Sequence, residues 1–96
     1  MTHYEKGRAT EYWARDKLRQ SGYLVVRSAG SKTPIDLVAI GALEVRLIQV
    51  KRVQGEKCPS FAAELAELSA LEVPPNCVKE LWVFVEGKRA WVTLPA

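Results

Sequence analysis

The chain has a single histidine, His3, and two cysteines, Cys58 and Cys77, with no CxxC spacing. That scarcity argues against a metal-thiolate site. Two reduced, partly buried thiols are the plainer reading. No run of eighteen apolar residues is present, so nothing in the sequence is expected to span a membrane. The opening stretch MTHYEKGRATEYW has no apolar signal core, and the cytoplasm is the expected compartment. There is no internal repeat, low-complexity segment or linker. Helix-turn-helix and zinc-finger spacings are missing too, so sequence readout in a DNA major groove is not expected. One domain covering residues 1–96 is the default for this length. A chain this short buries only somewhat more than the roughly 60% of its surface that a sixty-residue domain does.

What is present is an uneven charge. The net value is only +3, but residues 1–57 hold eleven of the fourteen Lys and Arg against six Asp and Glu, a balance of +5. Residues 58–96 hold three against five, a balance of −2. A basic first part suits a polyanionic partner, although a solvated surface can show the same asymmetry.

Periodicity predicts the elements. Ala14 and Leu18 lie four apart in a helix from about Lys6 to Ser21, with Gly22 as its stop. YLVVRS, Tyr23 to Ser28, is a strand, followed by the loop AGSKTP. IDLVAI and EVRLIQVKR are strands joined by a hairpin at Gly41-Ala42. Phe61, Leu65 and Leu68 mark a second helix, with Ser60 as its N-cap and its end near Leu71. LWVFV and AWVTL form a second hairpin around EGKR. The order αβββαββ predicts an α/β fold with a mixed central sheet flanked by helices.

Four polar residues stand where packing alone would not put them. Glu11 shares a helix face with Ala14 and Leu18; by itself it reads as a carboxylate on the rim of the buried stripe. Asp36 follows Pro34 at a strand start, where a turn-type Asp is ordinary. Gln49 and Lys51 point the same way from LIQVKR, as on the polar face of an edge strand, but Leu47, Ile48 and Val50 cover both faces. Antiparallel pairing of the two strands can bring Asp36 beside Gln49 and Lys51, and a helix packed on that face brings Glu11 close. Two carboxylates, an amide oxygen and an ammonium in one cleft suit a hard cation such as Mg²⁺ and a phosphodiester.

The spacing Glu11, then Pro34-Ile35-Asp36, then Gln49-Val50-Lys51 resembles the PD-(D/E)xK nuclease superfamily. GRATEYW, RSAGSKTPIDLVAI and LIQVK resemble archaeal-type Holliday junction resolvases more closely, over roughly Lys6 to Arg52. The resemblance implies a restriction-endonuclease-like core and Mg²⁺ as cofactor, with Mn²⁺ as the alternative. It implies Asp36 as the principal metal ligand, Glu11 as the helix carboxylate near the metal and the Val50 carbonyl as a further ligand. Lys51 becomes the catalytic lysine, and Ser31 a hydroxyl at the scissile phosphate. Arg27 and Lys32, with Arg8 and Arg52, make up the expected DNA-binding set. Gln49 is a departure: the superfamily usually has Glu or Asp there, and an amide oxygen can ligate Mg²⁺ without adding charge. Glu44 is no substitute, because its odd offset from Gln49 places it on the other face of a regular strand.

These expectations lead to a metal-dependent endonuclease for branched DNA, of the kind used in recombination and repair. It would cut as a homodimer, because two symmetric nicks need two sites related by a two-fold axis. The helix FAAELAELSAL and the last strands are the expected pairing surfaces. Two alternatives stand beside this reading. One is a nuclease of the same fold that cuts other DNA structures or duplex. The other is a DNA-binding module catalytically weakened by Gln49.

Overall fold

The computed structural model describes residues 2–28 and 32–96. Helix α1 spans His3–Gln20, three residues earlier than its apolar stripe predicts, because Thr2 caps it. The Thr2 hydroxyl accepts the Glu5 N–H at 3.1 Å, satisfying one free donor of the first turn, and donates to the Glu5 carboxylate at 3.2 Å. At the other end Gly22 takes φ +91°, a left-handed conformation that a side chain would strain.

Three strands follow: β1 at Leu24–Arg27, β2 at Leu37–Ile40 and β3 at Val45–Val53. β2 and β3 form the predicted hairpin, closed by the Gly41 N–H donating to the Glu44 carbonyl at 2.9 Å. Helix α2, Ala62–Ala70, returns the chain to β4 at Cys77–Val85, which runs parallel to β3. A 3₁₀ turn at Glu86–Lys88 leads into the last strand, β5 at Ala90–Pro95. The five strands lie in sequence order in one mixed sheet, with the β3–β4 pair parallel and the others antiparallel.

Each helix covers one face. Ala14 and Leu18 of α1 pack on Val25, Leu37, Ala39, Ile48, Val50 and Trp82. Leu68 of α2 packs on Ile35, Leu81, Val83 and Val85, with Phe61 and Leu65 beside it. Ser60 does not cap α2, as the sequence suggested. Phe61 occupies the cap position at φ 51° with no side-chain hydrogen bond. Its ring joins the core on that side, so packing outweighs capping. The apolar stripe of α2, with Val92 and Leu94 of β5, is spent inside the protein. The surfaces expected to pair two copies are thus largely core. No helix among the described residues is long and apolar enough to cross a membrane.

Candidate functional site at the open end of strand β3

The hairpin ladder stops early. Leu37 opposite Ile48 is the last β2–β3 pair, yet β3 continues to Val53 with β4 alone beside it. Pro34 explains the stop, since it has no N–H to contribute to a ladder. At the last step the pairing slips: the Asp36 N–H donates to the Ile48 carbonyl at 2.8 Å, one residue short of the register. Alternation slips with it. Ile35 and Val38 both lie in the α2-side core, although three residues apart, while Leu37 lies in the α1-side core. This is the behaviour of a β-bulge, which re-aims a side chain.

The re-aimed side chain is Asp36. Its Oδ2 accepts the Val50 N–H at 2.8 Å, replacing the ladder partner that β2 no longer provides. An extended residue points its N–H and C=O the same way, so the Val50 carbonyl also faces the side that β2 has left. Glu11 arrives from α1, held by the Arg27 guanidinium at 3.0 Å. Burial raises the Glu11 pKa first and the Asp36 charge second, against the lowering influence of Arg27. Burial also raises Asp36, against the Val50 N–H, Lys51 and Arg27. Asp36 is therefore within electrostatic range of Glu11, Lys51 and Arg27, and both carboxylates resist ionisation.

Strand parity alone puts α1 on the same face as Gln49 and Lys51. The structure corrects this. Gln49 and Lys51 alternate with Ile48 and Val50, which face α1, so they lie on the α2 side of β3. Glu11 and Asp36 approach instead around the open edge that the bulge creates. Gln49 is 9% exposed, and its Oε1 is a buried acceptor with no hydrogen-bond partner among the described residues. Such an orphan costs about 1–3 kcal/mol. Lys51 is half-buried and has no hydrogen-bond or ion-pair partner among the described residues.

A cleft of about 380 Å³ opens between His3, Lys6 and Gly7 of α1 and Val50, Lys51 and Arg52 of β3. Lys6 and His3 were not among the candidate site residues of the sequence, because a cap at Thr2 was needed to bring the first helical turn into place. Arg8 and Lys32 are exposed, with Arg8 over the Tyr4 ring at 4.9 Å. Arg27 is committed to Glu11 and lies over Tyr12 at 5.3 Å. Arg52 departs from its expected role. Its Nε donates to Glu86 at 2.5 Å, its Nη1 donates to Thr10 at 3.3 Å, and its plane lies over Trp13 at 5.1 Å. It is a packed internal cation, not a free phosphate grip. Neither Thr10, buried beneath it, nor Glu86 was singled out by sequence reasoning. Ser31 lies outside the described residues.

Glu44 sits far from this edge, where it accepts the Tyr23 hydroxyl at 3.0 Å. That agrees with its parity in the sequence. Among the described residues no three His, Cys, Asp or Glu side chains come together in a metal-binding group.

No protein-family model matches the chain, and no curated protein matches it. Among solved structures it is similar to Hjc from Archaeoglobus fulgidus, a Holliday junction resolvase from an archaeal hyperthermophile. The TM-score is 0.75, the match covers 94% of this chain and 72% of that one, and sequence identity is 23%. At that identity the likeness is one of fold, and the α/β architecture implied by the resemblance in the sequence is borne out.

Proposed function

We propose that this chain is a metal-dependent endonuclease that resolves four-way DNA junctions, cutting as a homodimer. The observation that carries the reading is the end of β3. There two carboxylates with raised pKa values lie within electrostatic range of each other or of Lys51 beside a ladder opened by Pro34, and Gln49, two residues before Lys51, carries a buried amide oxygen with no hydrogen-bond partner among the described residues. Unsatisfied polar groups and perturbed acids mark ligand sites more often than scaffolds. The likeness in fold to a resolvase supports the same reading.

The donor set fits a hard cation. Asp36, Glu11, the Val50 carbonyl and Gln49 Oε1 would hold Mg²⁺ or Mn²⁺, which takes oxygen ligands and keeps several waters. When bound, such an ion lowers the pKa of water and offsets phosphodiester charge. The chain's own groups do the rest. Arg27 orients Glu11, and the Val50 N–H orients Asp36. Lys51 supplies a cation where negative charge develops on phosphate. Lys6, Arg8 and Lys32 attract the backbone, so binding should weaken steeply with salt.

The test is cleavage of a synthetic four-way junction against linear duplex of the same sequence, with Mg²⁺ or Mn²⁺ omitted and restored. The expected outcome is metal-dependent junction cleavage, lost by at least about 100-fold in Asp36→Asn, the scale of losing one preorganised electrostatic group. Equal cutting of junction and duplex would remove junction specificity and leave a nuclease of the same fold. A second reading is favoured by Gln49 itself, since only two carboxylates reach the site. Tight junction binding without metal-dependent cutting would establish that DNA-binding module.

A further inference from the structure

A second cleft, of about 340 Å³, adjoins the first and shares Arg52 and Glu86 with it. Trp13, Phe84 and Arg89 complete its lining. Its floor is the end of an aromatic chain. Trp82 meets Trp91 at 5.7 Å, Trp91 meets Phe84 at 5.3 Å, and Phe84 meets Trp13 at 5.4 Å, all edge to face. The chain begins in the core and surfaces at Trp13, which is 42% exposed. A tryptophan left that open is unusual in so small a protein, because its large apolar ring is normally spent on the core.

The ring is also held rigidly. Arg52 lies over Trp13 at 5.1 Å and over Phe84 at 5.8 Å, and it is itself fixed by Glu86 and Thr10. The Gly87 N–H donates to the Gly55 carbonyl at 2.7 Å, pinning the 3₁₀ turn that carries Glu86. A Cβ on Gly87 would lie 2.3 Å from that carbonyl oxygen, so the turn can close only with glycine there. Arg89, just beyond, is exposed and adopts φ 47°, a left-handed conformation rare for a residue with a side chain. It closes the 3₁₀ turn, its N–H donating to the Glu86 carbonyl at 3.1 Å. Arg89 has no ion-pair partner among the described residues.

We infer that this cleft takes one unpaired DNA base, stacked on Trp13 with Phe84 against its edge, and with Arg89 on the adjoining phosphate. The inference rests on the nuclease reading and deepens it. It names the substrate class as DNA with a base freed from its duplex next to the cut, as at a branch or a bulge. Three features select a base over other ligands. An exposed π-face accepts any base, and arginine adds cation–π attraction. The volume falls in the range of about 300–1,000 Å³ typical of small-ligand pockets. The shared Arg52–Glu86 wall places the base one cleft away from Lys51.

The experiment compares two DNA duplexes, identical except that one carries a single bulged adenine and the other an abasic residue at the bulge. Binding is measured by anisotropy with divalent cations omitted. Wild type should prefer the adenine bulge by about 5- to 100-fold, the scale of one base stacked on an aromatic ring. Trp13→Ala should bind both probes alike, Trp13→Phe should keep most of the preference, and Arg89→Ala should weaken both equally. Circular dichroism verifies that each variant is folded, and the wild-type comparison needs no variant. Equal binding of the two probes by wild type would overturn the pocket, as would a preference that survives Trp13→Ala. Junction cleavage without base preference removes only this inference. Base preference without cleavage removes only the nuclease reading.

Discussion

Strand β3 carries a charged cluster at each end, and the two are built on opposite principles. Near its start, Arg46 donates to Glu80 twice, at 2.8 Å each, in a bidentate pair. The Trp82 indole N–H donates to the same carboxylate at 3.2 Å, and the guanidinium lies 5.5 Å from both the Tyr23 and Trp82 rings. The bond to Glu80 raises the Arg46 pKa, so its charge is reinforced. Near the other end, burial pushes both carboxylates toward neutrality, helped at Glu11 by the Asp36 charge, and neither Gln49 Oε1 nor the Lys51 ammonium has a hydrogen-bond partner among the described residues. One cluster satisfies itself within the fold. The other does not.

Breaking the satisfied cluster should have the largest effect. Arg46→Ala strands the Glu80 carboxylate and is expected to cost about 3 kcal/mol, the low end for a buried pair. For a domain of this size that is a drop in Tm of roughly 12–24 °C. Divalent-cation affinity measured well below that Tm should stay unchanged, and a change would mean the two ends are not independent.

Gln49→Glu sharpens the contrast from the other side. A third carboxylate should tighten Mg²⁺ or Mn²⁺ binding in calorimetry by about tenfold, because ligand charge sets affinity for hard cations. Without metal the same variant should melt earlier than wild type, since it buries one more repelling charge. An unchanged affinity would show that Gln49 does not face the ion.

The smallest effect is on pH. Asp36 is raised from its ordinary 3.8 and Glu11 from 4.5. The folded state thus holds these protons more tightly than the unfolded chain. Their contribution to stability is present at low pH and lost as pH rises through the raised values. Asp36→Asn keeps an acceptor for the Val50 N–H and abolishes one titration. Without metal, the Asp36→Asn variant is therefore expected to melt above wild type at pH 7, by no more than about 4 °C, because Asp36 is only half-buried and screened. Near pH 3.5 the two should coincide. A variant less stable than wild type at pH 7 would show that the ionised carboxylate stabilises the fold.

Much of this was legible in the sequence. Period and punctuation predicted all seven regular elements in order, and the spacing of Glu11, Asp36 and Lys51 pointed to groups that the structure brings within electrostatic range. Three things were not legible, each for a physical reason. The bulge at Asp36 breaks strict alternation, so parity alone misplaced Glu11's helix relative to Gln49. Arg52 looked like a phosphate ligand because its partner, Glu86, lies thirty-four residues away. The aromatic chain from Trp82 to Trp13 joins three elements, and no local pattern announces it.

The Asp36–Val50 hydrogen bond changes which residue testifies to catalysis. With one oxygen Asp36 completes the hairpin where proline ended it, so a chain that had given up chemistry would still have reason to keep it. Lys51 has no such second employment. Its ammonium is half-buried and makes no hydrogen bond or ion pair among the described residues, reaching the rest of the cluster only through the Asp36 charge. Its place in this strand, more than that of the aspartate, is what speaks for the proposed nucleic-acid backbone as ligand.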